Sequence, residues 1–273
     1  MKKRFCFLML IAFALGFLSI TKVQSQSANT NKSYLKITEQ EKTAFVADKL
    51  REVSKKISGN EYAPTPSFEK MIRPYLDRYA RRVGNQNTEM WGEDINFLLK
   101  RGGEFAPAIN SAFDKNGMPR LMGLYLCMIE TEFHNITSDN FAGTSGLFQF
   151  TASMAKQYGL KPEDRTDPSK AADFAVRYLK DSQTKFEQYQ MKEALALLSY
   201  NRSPNRIEKD LKLVLNNKNK SCSICALTEN SSKLDKWFQG ESVKYVPKFF
   251  AAAIVGENPQ AFDLKTEPLS TLN

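Results

Sequence analysis

The chain predicts an all-α fold, and three observations carry that prediction. Apolar residues recur at helical spacing through most of the stretch between residues 38 and 255. No segment shows the strict alternation of a half-buried strand. Capping signals stand at the head of several of the periodic stretches. The first of these is Thr38 with Glu41, a capping-box spacing, followed by Phe45, Val46, Leu50 and Val53 on one stripe through about Ser58. Gly59 to Ser67, with Pro64 and Pro66, reads as a linker. Met71, Ile72, Tyr75, Leu76 and Tyr79 then mark a helix over 68–83, and further helical patterns cover about 89–100 and 104–115.

Leu121 through Ile129 carries no charged residue, and Gly117-Met118-Pro119 ahead of it reads as a loop with proline near a helix start. The simplest structure for such a segment is a helix buried on all sides that delivers one carboxylate, Glu130, into the protein. Burial of a carboxylate is costly unless it is paired or protonated, which makes Glu130 a candidate general acid, although on this stretch alone a helix-terminal Glu pointing into solvent is the stronger reading. A polar loop spans 134–146, and Thr151 caps a short helix that runs through Tyr158 and stops at Gly159. Asp167-Pro168 opens an amphipathic helix with Ala171, Ala172, Phe174, Ala175, Tyr178 and Leu179 on its apolar face. Helices over 191–200 and 207–215 follow, then a polar insertion at 216–236, a last apolar helix near 246–255 and a polar tail.

The N-terminus has the pattern of an export signal. Lys2, Lys3 and Arg4 precede an apolar run from Phe5 to Ile20, and Val23-Gln24-Ser25 has the small residues a signal peptidase reads. Removing residues 1–25 lowers the formal charge from +9 to +5. The expected protein is therefore exported, periplasmic or envelope-associated, and moderately basic, which suits an anionic polymer such as cell wall. No dense Lys/Arg block with interleaved aromatics supports nucleic-acid binding. The expected organisation is a signal peptide at 1–25, an N-terminal extension at 26–67, a catalytic domain at 68–263 and a tail at 264–273. Cys127, within the apolar helix, reads as a buried free thiol. Cys222 and Cys225 have the spacing of a local disulfide, a redox pair or half a metal site, and the disulfide is the default in an oxidising compartment. His134 is the single histidine and there is no second Cys pair, which argues against zinc.

Four blocks in order carry a resemblance. Glu130-Thr131-Glu132-Phe133 comes first, and Ala142 through Phe150 (AGTSGLFQF) second. Leu197-Leu198-Ser199-Tyr200-Asn201 is the third, and Tyr245 through Ile254 (YVPKFFAAAI) the fourth. Together they resemble the catalytic region of lytic transglycosylases with the goose-type lysozyme fold, glycoside hydrolase family 23. The fourth block resembles a segment of that family's membrane-bound D type. The likeness spans roughly 68–263. The chain departs from it at Thr131 (usually Ser), Thr144 (usually Ala), Phe148 (commonly Trp), Asn140 (a Ser that helps hold an N-acetyl sugar) and Arg202-Ser203 (usually Ala-Gly).

The resemblance implies an exported lysozyme-like enzyme acting on peptidoglycan glycan strands, with no cofactor and with membrane or wall machinery as candidate associates. It assigns Glu130 as acid and then base. Most glycosidases use two carboxylates, but no second acid stands out here, since Glu132 and Asp139 read as solvated surface residues. Two residues apart on a helix, Glu130 and Glu132 would point about 200° apart. The resemblance places the Tyr200 hydroxyl near Glu130, where a hydrogen bond would position or tune the carboxyl. Gln149, Asn140, Phe148, Gly146, Asn201 and Tyr245 complete the expected substrate site. Among these, Asn201 reads as a loop-holding residue, Gln149 as sugar contact or loop brace, and Phe148 as sugar platform or core.

Overall fold

The computed structural model describes residues 32–215 and 222–273, so the signal-peptide segment lies outside the described residues. The fold is all-α, as expected, with ten α-helices among those residues and two strands of two residues each. Helix α1 (Glu39–Ser58) opens on the capping box, Thr38 accepting from the Glu41 N–H and Glu41 from the Thr38 N–H. It is followed by α2 (Pro66–Ala80), capped by Thr65 with proline in its first turn.

Helix α3 (Ile95–Lys115) corrects the expectation of two helices over 89–100 and 104–115. It starts only after Asp94, whose carboxylate caps the Asn96 N–H, and it runs unbroken through Gly102-Gly103. That glycine pair reads as an interruption, yet its cause is packing. A Cβ on Gly102 would stand 2.7 Å from the Phe133 ring, so the small residue lets α3 close onto the segment after the next helix.

Helix α4 (Arg120–Thr131) buries every residue from Leu121 to Met128. Thr144–Ser145 (β1) and Phe150–Thr151 (β2) form a minimal antiparallel pair, with Thr144 opposite Thr151 and Ser145 opposite Phe150. Then come α5 (Ala152–Gln157), α6 (Pro168–Lys185), α7 (Lys192–Arg202) and α8 (Pro204–Leu215).

Helix α9 (Ser223–Glu229) corrects the reading of 216–236 as a polar insertion. Ser223 through Thr228 are all buried, and α9 packs against α8, α2 and α7. The polar residues around it, averaged over the window, mask the short apolar run Ile224-Cys225-Ala226-Leu227. Cys222 and Cys225 are joined by a disulfide at the start of this helix, and Cys127 is a buried free thiol.

Helix α10 (Val243–Glu257), entered through a π-helical turn at Phe238–Ser242, is the second helix buried nearly all round. It packs on α2, α4, α1 and α7, while α3 packs on α6 and α4. α1 and α10 are further tied by Lys56 to buried Glu257, 2.9 Å. The last residues are docked, not loose: Leu269 is fully buried, and the Asn110 amide donates to the Leu269 and Leu272 carbonyls. One core cluster thus runs from Tyr34 to Leu269.

Candidate functional site

Two buried helices running antiparallel build the site. At one end of their contact the Tyr125 hydroxyl of α4 donates to Glu257 of α10, 2.6 Å. At the other, the Tyr245 hydroxyl of α10 donates to Glu130 Oε1 of α4. The two tyrosine–glutamate pairs differ in how well the carboxylate is satisfied. Glu257 also accepts from Ser270 and is paired with Lys56. Among the described residues, Glu130 has the single bond from Tyr245, with Lys248 as the one cation close enough to act on it. Burial dominates, so its pKa is pushed up from 4.5 to about 7, against the smaller lowering effects of the Tyr245 bond and the Lys248 charge. The residue nonetheless keeps partial exposure to the surface. A carboxyl poised near neutrality and reachable from outside has the acidity that proton donation and recapture require.

The hydrogen bond to Glu130 comes from Tyr245 and not from Tyr200. The Tyr200 hydroxyl donates instead to the Phe148 carbonyl, 2.8 Å, and its ring meets Tyr178 edge-on at 5.4 Å. Tyr200 is still close to the acid: after burial, the charge of Glu130 is the next cause holding its phenol well above the ordinary range. One residue along, the Thr131 hydroxyl donates to the Leu147 carbonyl, 2.9 Å. Two hydroxyls, one from α4 and one from α7, therefore hold successive carbonyls of the loop beside Glu130. Thr131, which stands where the resemblance has Ser, keeps that hydroxyl.

The loop is built from its own polar groups. The Asn140 side chain accepts from the Ala142 and Thr144 N–H groups and donates to Gln149 Oε1. Gln149, itself at φ 49°, accepts from Thr144 Oγ1 and donates to the Gly146 carbonyl. Both are loop braces in this structure. Gly146 sits at φ 77°, and a Cβ there would fall 1.8 Å from the Arg165 carbonyl oxygen. Only glycine fits.

Phe148 is fully buried, which selects the core over the sugar platform of its two readings. The aromatic exposed on this loop is Phe141. Asn201 accepts from Ser242, 2.7 Å, and so holds the entry to α10.

Glu132 is the clearest departure from expectation. Far from being solvated, it is 2 % exposed and forms a two-pronged pair with Arg82, 2.6 and 2.7 Å. The helical angle between it and Glu130 does not apply, because Glu132 has left the helix at φ 48°. His134 belongs to a neighbouring cluster, beside Glu93 and Arg101. Asp139 is half-exposed and paired with Arg165, 2.9 Å.

Three residues to which the sequence reading gave no site role matter to the site. Arg165 is buried beneath the loop and donates to the carbonyls of Gly143, Phe150 and Pro162. Nothing in the local sequence marks it as buried. Lys248 follows Tyr245 by three residues on α10, a spacing that places both on one helix face and could have flagged it. Arg202, where the family usually has Ala, is buried between Asp210 and Asp235 and ties α7 to α8 and to the segment before α10.

Residues 107–222 match the family model of the transglycosylase SLT domain, which is lysozyme-like. The match takes in α4, the loop and α7, and leaves α1, α2 and Tyr245 outside it. A domain of this kind acts on peptidoglycan. No curated protein matches the chain.

Proposed function

We propose, on the premise of that transglycosylase domain, that the protein is an exported lytic murein transglycosylase with Glu130 as its acid and base. One observation carries the reading: Glu130 is a half-buried carboxyl with a single hydrogen bond and a pKa raised to about 7, and no second carboxylate is among the groups that perturb it. A hydrolase that activates water would call for such a partner. With one carboxyl, the nucleophile is best supplied by the substrate. Glu130 first protonates the oxygen linking N-acetylmuramic acid to N-acetylglucosamine, and the neighbouring N-acetyl group assists at the anomeric carbon. The carboxylate then takes the proton of the sugar's own C6 hydroxyl, whose oxygen closes a 1,6-anhydro ring. No water is consumed, and the tethered hydroxyl carries the effective-concentration advantage of an intramolecular reaction.

Tyr245 holds the carboxyl in place and moderates its pKa, while Tyr200 and Thr131 hold the loop that walls the site. The block from Tyr245 to Ile254 resembles a segment of the family's membrane-bound D type. The charge pattern of residues 1–25 supports export to the periplasm or envelope. The test is mass spectrometry of muropeptides released from purified sacculi. Anhydromuramic ends that vanish in Glu130→Gln are the expected result. Hydrated reducing ends would make the protein a muramidase, and sacculus binding without release would make it a wall-binding relative.

A further inference from the structure

A second pocket adjoins the acid and lies outside the matched domain except for two of its walls. It is lined by Tyr75, Arg78, Tyr79 and Arg82 from α2 and the turn after it, by Trp91, by Ile129 and Glu132 beside the acid, and by Lys248 of α10. Lys248 is the cation that acts on Glu130, and Ile129 precedes it in the chain, so pocket and acid share a wall.

The charges in it are unequal. Arg82 and Glu132 satisfy each other, whereas Arg78 and Lys248 form no ion pair among the described residues. Arg78 donates to the Trp91 carbonyl, 3.2 Å, and Lys248 lies 5.9 Å from the centre of the Tyr75 ring. The other carboxylate acting on this face, Glu241, is exposed and bears on Tyr75. Trp91 is 41 % exposed although large and apolar. Two cations held in no ion pair, beside an exposed indole and a tyrosine, are suited to an anion carried on an apolar stem. The cavity is about 80 Å³, well below the roughly 300–1,000 Å³ of a site that encloses a whole small ligand. It therefore takes a side group of something bound elsewhere.

The geometry points to a carboxylate-binding subsite that receives the acidic substituent of the muramic residue while the glycan lies at Glu130. This inference rests on the peptidoglycan reading of the Glu130 site. The chemistry is shared by two sources, the lactyl carboxylate of a muramic acid without peptide and a carboxylate of the attached peptide stem. α2 and α10 thus add recognition of the substituent to the site at Glu130.

Binding is measured on the full mature chain carrying Glu130→Gln, so that no bond cleavage intervenes, with and without Arg78→Gln or Lys248→Met. The probes are N-acetylmuramic acid, an N-acetylmuramyl dipeptide with free carboxylates, and the same dipeptide fully amidated. Expected are binding of a carboxylate-bearing probe, about tenfold weaker binding with either substitution, as loss of one charge-assisted contact implies, and equally weak binding of the amide. A drop for N-acetylmuramic acid assigns the lactyl group, and a drop confined to the dipeptide assigns the stem. Equal affinity for acid and amide, or no change with either variant at unaltered melting temperature, overturns the subsite. Cleavage of sacculi by the wild type is scored separately. Anhydro product with insensitive binding sinks the subsite alone, whereas carboxylate-specific binding without cleavage sinks the catalytic reading and leaves the pocket.

Discussion

Replacing Glu130 by Gln is expected to change how stability depends on pH, independently of any activity. The folded carboxyl holds its proton more tightly than the unfolded one, with a pKa of about 7 against an ordinary 4.5. Below about pH 4.5 both states are protonated and the residue is without penalty. As the pH rises through that window the unfolded chain ionises first, and folding becomes progressively less favourable until the folded carboxyl also ionises near 7. At 1.36 kcal/mol per pKa unit, the gap amounts to about 3 kcal/mol of stability lost between acid and mildly alkaline solution. Glutamine has nearly the same shape, can still accept from Tyr245, and does not titrate. The stability of Glu130→Gln minus that of the wild type should therefore climb by about 3 kcal/mol from pH 4 to pH 8, most of it between 4.5 and 7. Urea unfolding followed by circular dichroism at five or six pH values measures it. A difference that stays flat across the range would refute the reasoning, because it would mean that burial does not raise the pKa of this carboxyl.

Tyr245→Phe removes a bond that lowers the Glu130 pKa, so the alkaline limb of the pH–rate profile should move up while the rate at neutral pH falls about tenfold or more; an unmoved limb would count against Tyr245 as the tuning residue. Glu132→Ala strands the buried Arg82 guanidinium and should cost about 3–5 kcal/mol in denaturant unfolding, where a solvated Glu would cost almost nothing. Gly146→Ala places a methyl 1.8 Å from the Arg165 carbonyl oxygen on a residue at φ 77°, and should lower stability by about 2 kcal/mol or more and displace the loop. Calorimetry with a parallel activity assay reads both effects.

Much of the helical framework is legible because the signals are local. Thr38 with Glu41, Thr151 and Asp167-Pro168 each announce a helix start through bonds made within three residues, and each helix begins there. The same locality explains the failures. Gly102-Gly103 looks like a break because the residue that requires a glycine, Phe133, is thirty-one positions away. The helix at Ser223–Glu229 is hidden by polar neighbours, and its burial depends on α2, α7 and α8.

The site divides in the same way. Glu130 stands out in the sequence because an uncharged helix ends on it and the motif blocks that follow resemble a catalytic region; the apolar run alone does not distinguish it from a solvent-facing helix end. Which hydroxyl reaches that carboxyl is not identifiable, since Tyr200 and Tyr245 both stand in family blocks and only the crossing of α10 over α4 selects Tyr245. Glu132 illustrates the limit most sharply, for its fate depends on a left-handed residue at a helix end and on an arginine fifty positions earlier. The sequence by itself determined the all-α class and many of the helix starts, through short-range capping and periodicity, and its motif blocks pointed by resemblance to Glu130 and to the domain type. Only the tertiary structure decided the carboxyl's bonding partner, the pairing of Glu132, the burial of Phe148 and the cationic pocket at Arg78 and Lys248. Each of those arises from desolvation and contact between segments far apart in the chain, energies that no local pattern encodes.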